Sequence, residues 1–299
     1  MEREKRVITR RDFIRAGSCM AVGSLMALPM LGNSPIKKTG KSRVVLVRDE
    51  NVLDSHGRPD SMVLQKMFDH AVTTLLDATD PLSAWQQLVK PVDIVGIKSN
   101  VWHHLPTPKP LEDVIRKGLI GAGVKNENIA VDDRGVRRNP VFNRSTALIN
   151  VRPMRTHHWS GLGTLIKNYI MFIPNPSEYH GNACEKLGAI WQLPHIRGKT
   201  VLNILVMITP QFHGIGPHNF SRRHTWKYGG LIISTDPVAA DATGARIIQA
   251  KRNEFFGKER PISPPPLHIV SADTRFGLGN SRPDQIEVIR LGRGKEILV

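Results

Sequence analysis

The chain has 299 residues, 40% hydrophobic and 23% charged, the make-up of a globular protein and not of a disordered, collagenous or multi-span membrane chain. Its 42 Lys and Arg against 26 Asp and Glu give a formal charge of +16, a sign that suits anionic partners. Two cysteines exclude a disulfide scaffold and a self-contained iron–sulfur cluster, which needs about four thiolates.

The chain opens on a segment that reads as an address. Thr9-Arg10-Arg11-Asp12-Phe13-Ile14-Arg15 resembles the twin-arginine export motif, and Ala16 to Leu31 carries no charge. That apolar run is shorter than the roughly 20 residues that span a bilayer comfortably. A basic segment followed by a short apolar one predicts a signal peptide over residues 1–34, outside the fold proper. Six basic and three acidic residues leave with it, which lowers +16 to +13, and Cys184 becomes the sole thiol. The expected location is therefore periplasmic or exported, with the twin-arginine translocase as a partner. No clean small-x-small cleavage site lies near Leu31 to Ser34, so an uncleaved signal acting as a membrane anchor stays open. Arg137-Arg138, Arg222-Arg223 and Lys251-Arg252 are isolated pairs with no nucleic-acid-binding signature, which argues against nucleic acid.

From residue 43 to 299 a single α/β domain is predicted. Arg43 to Arg48 reads as a buried strand. Ser61 to Ala78 places Met62, Leu64, Met67, Phe68, Ala71, Leu75 and Leu76 on one helical stripe. Asp93 to Ile97 is a second strand, and Pro110 to Gly123 is a helix that opens on Pro and closes on Gly. Asn128 to Asp132, Ala147 to Val151, Val201 to Ile208 and Leu231 to Ser234 are further strands, and Asp236 caps a helix running to about Arg252. This alternation predicts a mostly parallel sheet covered by helices. After the linker Pro261 to Pro266, His268 to Ala272 and Gln285 to Leu291 read as an added edge hairpin over 261–299.

Polar groups recur where these strands end. Lys98 and Asn100 follow the second strand, Asp133 and Arg134 the third, and His213 the strand Val201 to Ile208. The densest run, Arg155 to Asn168, holds His157, His158, Gly161, Gly163, Lys167 and Asn168. A parallel sheet gathers its strand ends on one rim, where ligands of open α/β folds bind. There His157 or His158 is expected as acid and base, and Lys167 as nucleophile or cofactor tether. Lys98 with Arg134 would clamp carboxylates, Gly161 and Gly163 would let backbone approach a ligand, and Asn100, Asp133 and Asn168 would add polar contacts. His157, His158 and His213 are the expected metal ligands, although no spacing as definite as H-E-x-x-H is present. There is no P-loop, no G-x-S-x-G and no G-x-G-x-x-G after a strand, so nucleotide and hydrolase readings lose their usual support.

Lys98-Ser99-Asn100, Thr156-His157-His158 through Lys167-Asn168, and Ser234 through Asp241 occur in the order found in domain of unknown function family 362, which the chain resembles from about Arg43 to Arg252. Members of that family often carry ferredoxin-like cysteine motifs, and this chain has none. It differs also at Arg155, where a Lys is common, and at Asn203, where an Asp is common. His157, Ser160-Gly161 and Lys167 are locally similar to the nickel-pincer lactate racemase family. That similarity implies a Lys that tethers the cofactor and a His that shuttles a proton.

Three functional readings follow. One is an exported enzyme that uses a metal ion or metal-organic cofactor on an anionic small molecule. Another is a non-catalytic ligand-binding or maturation protein for periplasmic redox machinery, with a periplasmic redox protein as partner. The third is a basic structural protein of the envelope.

Overall fold

The structure, a computed structural model, describes residues 40–214, 220–292 and 298. The expected signal peptide over residues 1–34 and residues 215–219 lie outside the described residues. The strands are β1 (Ser42–Arg48), β2 (Val95–Lys98), β3 (Ile129–Asp132), β4 (Ala147–His157), β5 (Gly161–Gly163), β6 (Thr200–Gln211), β7 (Gly230–Ser234) and β8 (Ile286–Gly292). They form one sheet in the order β3-β2-β4-β6-β7-β1-β8, with β5 folded back on β4. The pairs β2–β3, β2–β4, β4–β6 and β1–β8 are parallel, whereas β7 runs antiparallel to both β6 and β1.

The apolar runs of these strands feed two cores, because successive side chains point to opposite faces. On one face Val45, Val47, Ile204 and Val206 pack with Leu64, Met67, Trp85 and Leu111. These come from helices α1 (Ser61–Leu75), α2 (Pro81–Leu88) and α3 (Lys109–Gly121). On the other, Val44, Leu46, Leu205 and Met207 pack with Leu165, Val238, Ile248 and Ile269. A short helix α4 (Pro140–Asn143) follows β3, and the second face is covered by α5 (Leu165–Asn168), α6 (Pro237–Phe256) and α7 (Leu267–Thr274). Helix starts follow the capping chemistry of the sequence. Asp60 accepts the Met62 and Val63 N–H groups, Asp80 and Ser83 form a capping box, and Asp236 accepts from Val238 and Ala239. Gly257, at φ +65°, ends α6.

The chain end differs in part from the expectation. Gln285 to Leu291 falls largely in the edge strand β8, but His268 to Ala272 lies in helix α7, so these two segments do not form a hairpin. Strand β8 runs parallel to β1, and a parallel neighbour is reached by a crossover and not by a tight turn. His268, Ile269 and Ala272 are buried while Val270 between them is exposed. Helix α2, signalled by Asp80 and Pro81, is an element the periodicity did not reveal.

The strand order also creates a crevice. From β2 the chain passes outward to β3, then returns across β2 to β4 on its other side. Such a reversal opens a gap beyond the carboxyl ends of the two strands, where open α/β sheets take ligands.

Candidate anion-binding cavity

A cavity of about 240 Å³ lies beyond the ends of β2 and β4, and Asn100, Trp102, Asp133, Arg134, Arg152, Arg155, His157, Lys167, Asn168 and His180 line it. Of the residues singled out in the sequence, Asn100, Asp133, Arg134, His157, Lys167 and Asn168 thus come together, although they span three connections of the sheet. A larger cleft of about 470 Å³ shares Asp133 and Arg134 with it and adds Ser99, Lys109, Glu112 and Asp132.

Lys98 takes a different place from the one expected. Its side chain is fully buried, and its Nζ donates to Asp133 Oδ1 at 2.5 Å and to the Ser99 carbonyl at 2.7 Å. Its charge is thereby committed to a carboxylate of the protein, which removes it as a clamp for a ligand. Burial alone would raise the Asp133 carboxyl, but the Lys98 ammonium outweighs it and holds that carboxyl low. The second Asp133 oxygen accepts the Val101 N–H at 2.9 Å, so the pair also shapes the turn after β2.

Asn168 acts as a staple between strand ends. Its amide donates to the Lys98 carbonyl, to Asn150 Oδ1 and to the Val151 carbonyl at 2.9–3.2 Å, and its oxygen accepts from Lys98 at 3.3 Å. Helix α5, which carries Asn168 and Lys167, begins on Asp241. Both oxygens of that fully buried carboxylate accept backbone N–H groups, Leu165 at 2.8 Å and Ile166 at 2.9 Å. Burial pushes the Asp241 carboxyl up to about 7, against these hydrogen bonds. Thr164 caps the same turn, and its hydroxyl pairs with His268 Nε2 at 2.8 Å, which ties α7 into the site. Asn203 bonds to Asn150 and to the Thr235 carbonyl and does not line the cavity.

The glycines serve the fold. Gly161 sits at φ +69° in the β4–β5 hairpin, and a Cβ there would run into the Pro264 carbonyl oxygen. A Cβ on Gly163 would come within 2.8 Å of Arg152 Nη2. These glycines make room for a later segment of chain and for a guanidinium, not for a ligand as expected.

The cations of the cavity are its distinguishing feature, and the strongest of them are two that sequence reasoning did not assign to the site. Arg152 and Arg155 are nearly buried, and neither forms an ion pair among the described residues. Arg152 Nη1 reaches only the Thr164 carbonyl at 3.4 Å. Arg152 Nε, Arg155 Nε and Arg155 Nη1 have no acceptor, and the Arg155 guanidinium lies 4.0 Å over the Trp102 ring. Burial pushes Arg152 down to about 10, despite attraction from Asp133 and Asp241. Burial and the Arg152 charge press Arg155 well below its ordinary value. A signal for these residues existed, since two arginines inside an apolar strand run have no solvent to reach.

Lys167 is the third cation. Its side chain is buried, and the partner of its Nζ is Cys184 Sγ at 3.6 Å, with no ion pair to a carboxylate among the described residues. Burial, reinforced by Arg152 and Arg155, lowers it to about 8. His157 is pushed far below its ordinary range by burial and by the charges of Lys167, Arg155 and Arg152, so the imidazole is neutral. The Trp159 N–H donates to its Nδ1 at 3.2 Å, which leaves Nε2–H as the ring's donor. His180, held down to about 4 by burial, stacks on the half-exposed Trp159 at 4.0 Å and closes that side of the opening.

The expected metal set does not assemble. His158 stacks on His157 with ring centroids 4.9 Å apart, but His213 packs with His224, Phe256 and Arg252 in another cluster. Among the described residues no group of three or more His, Cys, Asp or Glu could hold a metal ion. A metal bound by protein side chains alone does not fit these donors. An organic group carried on an amine does fit, since Lys167 and His157 both face the cavity.

No curated protein and no solved structure matches this chain. Residues 130–246, which hold β4, α5 and the first half of α6, match the family model described as Domain of unknown function (DUF362).

Proposed function

We propose that this chain is an exported protein that binds a small anionic molecule in the cavity between β2 and β4. Arg152 and Arg155 form the anion clamp, and Lys167 and His157 are the groups that act on the bound molecule. The observation that carries this reading is the pair of buried guanidiniums with N–H groups lacking acceptors. An unpaired buried charge costs several kcal/mol. An oxyanion would relieve that cost at both arginines, and the planar guanidinium fork suits carboxylate or phosphate oxygens. A bound anion would also raise the proton affinity of Lys167 and His157, which their cationic neighbours now depress. If a cofactor is tethered here, Lys167 would hold it and the two arginines would meet its acidic groups.

Thermal unfolding measured with phosphate, malonate and acetate at constant ionic strength tests the clamp. The wild type is expected to gain stability with at least one of them, and Arg155→Gln to bind it about tenfold more weakly, the loss of one charge-assisted contact. An equal response of wild type and variant overturns the reading. Export is supported by Arg10-Arg11 and the apolar run behind them. Replacing both arginines by Lys should leave the chain in the cytoplasmic fraction, and unchanged export would refute that part.

A further inference from the structure

The cavity holds an amine as well as an anion clamp, and the two together restrict what the ligand can be. A lysine whose only task was to add charge would gain most from a carboxylate beside it, as Lys98 has in Asp133. Lys167 instead meets a thiol, and the charges around it are guanidiniums of its own sign. This surrounding favours the free amine over the ammonium, and a free amine is a nucleophile toward carbonyl carbon. The neighbours complete the requirement: His157 offers Nε2–H to a carbonyl oxygen, while Arg152 and Arg155 supply N–H groups for an acid group on the same molecule.

We infer that the ligand is a small 2-oxo acid, held through its carboxylate by Arg152 and Arg155 and captured through its carbonyl as an imine on Lys167. The inference rests on the anion-binding reading above and names its substrate class. In the capture the Lys167 Nζ lone pair forms a bond to the carbonyl carbon, and the carbonyl oxygen takes a proton. Loss of that oxygen as water, with the second amine proton, leaves a C=N bond. No oxidant or reductant enters, and hydrolysis by one water returns both partners. Burial lowers both Lys167 and Lys98 to about 8, so it is the partners of Lys167 and its place on the cavity, and not its titration, that single it out for this role.

The full-length protein is incubated with pyruvate or 2-oxoglutarate, reduced with cyanoborohydride, weighed intact and peptide-mapped. The expected result is a single adduct, one substrate less one oxygen atom, on Lys167 and dependent on both reagents. Arg155→Gln should raise the oxo-acid concentration for half-maximal trapping about tenfold or more. Stabilisation by the oxo acids without an adduct would overturn the imine while the anion site stands. Neither stabilisation nor adduct would overturn both. Labelling spread over surface lysines, or a native adduct already on Lys167, would also overturn the imine.

Discussion

Lys98 and Lys167 lie at the same end of the sheet and both are buried, yet their surroundings are opposite in kind. Lys98 is enclosed by acceptors: the Asp133 carboxylate, the Ser99 carbonyl and the Asn168 amide oxygen. Lys167 is enclosed by a thiol, two guanidiniums and an imidazole. The first arrangement neutralises a charge and ties the ends of β2 and β3 to α5. The second keeps a charge uncomfortable, which a stable fold has no reason to do unless something else arrives. Burial alone therefore does not separate a structural lysine from a reactive one; the chemistry of the partners does.

The comparison can be broken by experiment. Lys98→Met should be the most damaging change, since it leaves Asp133 buried without its partner, at a cost of about 3–5 kcal/mol in urea unfolding. A loss below about 1 kcal/mol would mean that the pair is not structural. Asp241→Asn comes next. It weakens the anchor of α5, and a loss of about 1–2 kcal/mol is expected, with faster hydrogen exchange at the Leu165 and Ile166 amides. Unchanged exchange would show that α5 is held by other means. Lys167→Met should stay within about 1 kcal/mol of wild type, because an apolar side chain of similar length removes a repelled charge. A larger loss would make Lys167 structural after all.

The smallest effects lie in the pH dependence. The folded chain releases the Lys167 proton at about 8, whereas the ordinary value is 10.5. Between these values the unfolded chain holds more protons, so stability rises with pH; Lys98, which burial also lowers to about 8, adds to the same slope, and Lys167→Met should reduce it without abolishing it. Asp241 has the opposite sign. Its proton stays on in the fold up to about 7 against an ordinary 3.8, so its contribution falls as pH climbs through that window. Only the wild type loses stability there, so the gap between wild type and Asp241→Asn should be widest at acidic pH and narrow as pH climbs toward 7.

Much of this arrangement was legible in the sequence. Apolar runs and capping residues placed β1, α1, α3 and α6 close to their observed bounds. The rule that parallel strands gather their ends brought Asn100, Arg134, His157 and Lys167 to one cavity. What was not legible depends on partners distant along the chain. The commitment of Lys98 follows from Asp133, which only the β2–β3 register delivers. Arg152 and Arg155 look like polar interruptions of a strand until both faces of β4 are known to be covered. The segment from His268 to Ala272 is apolar and short, which fits a strand or a helix equally until the direction of β8 decides between them.

The contact of Gly161 with Pro264 has a consequence for biogenesis. The hairpin that carries His157 is pinned by a residue synthesised long after it, and Thr164 waits for His268 in the same way. A nascent chain still short of the proline-rich stretch has the side chains of the cavity but not the contacts that hold the β4–β5 hairpin and the start of α5. On the anion-binding proposal, uptake of a ligand therefore belongs after translation is nearly finished, and a prematurely stopped polypeptide would be material for quality-control proteases.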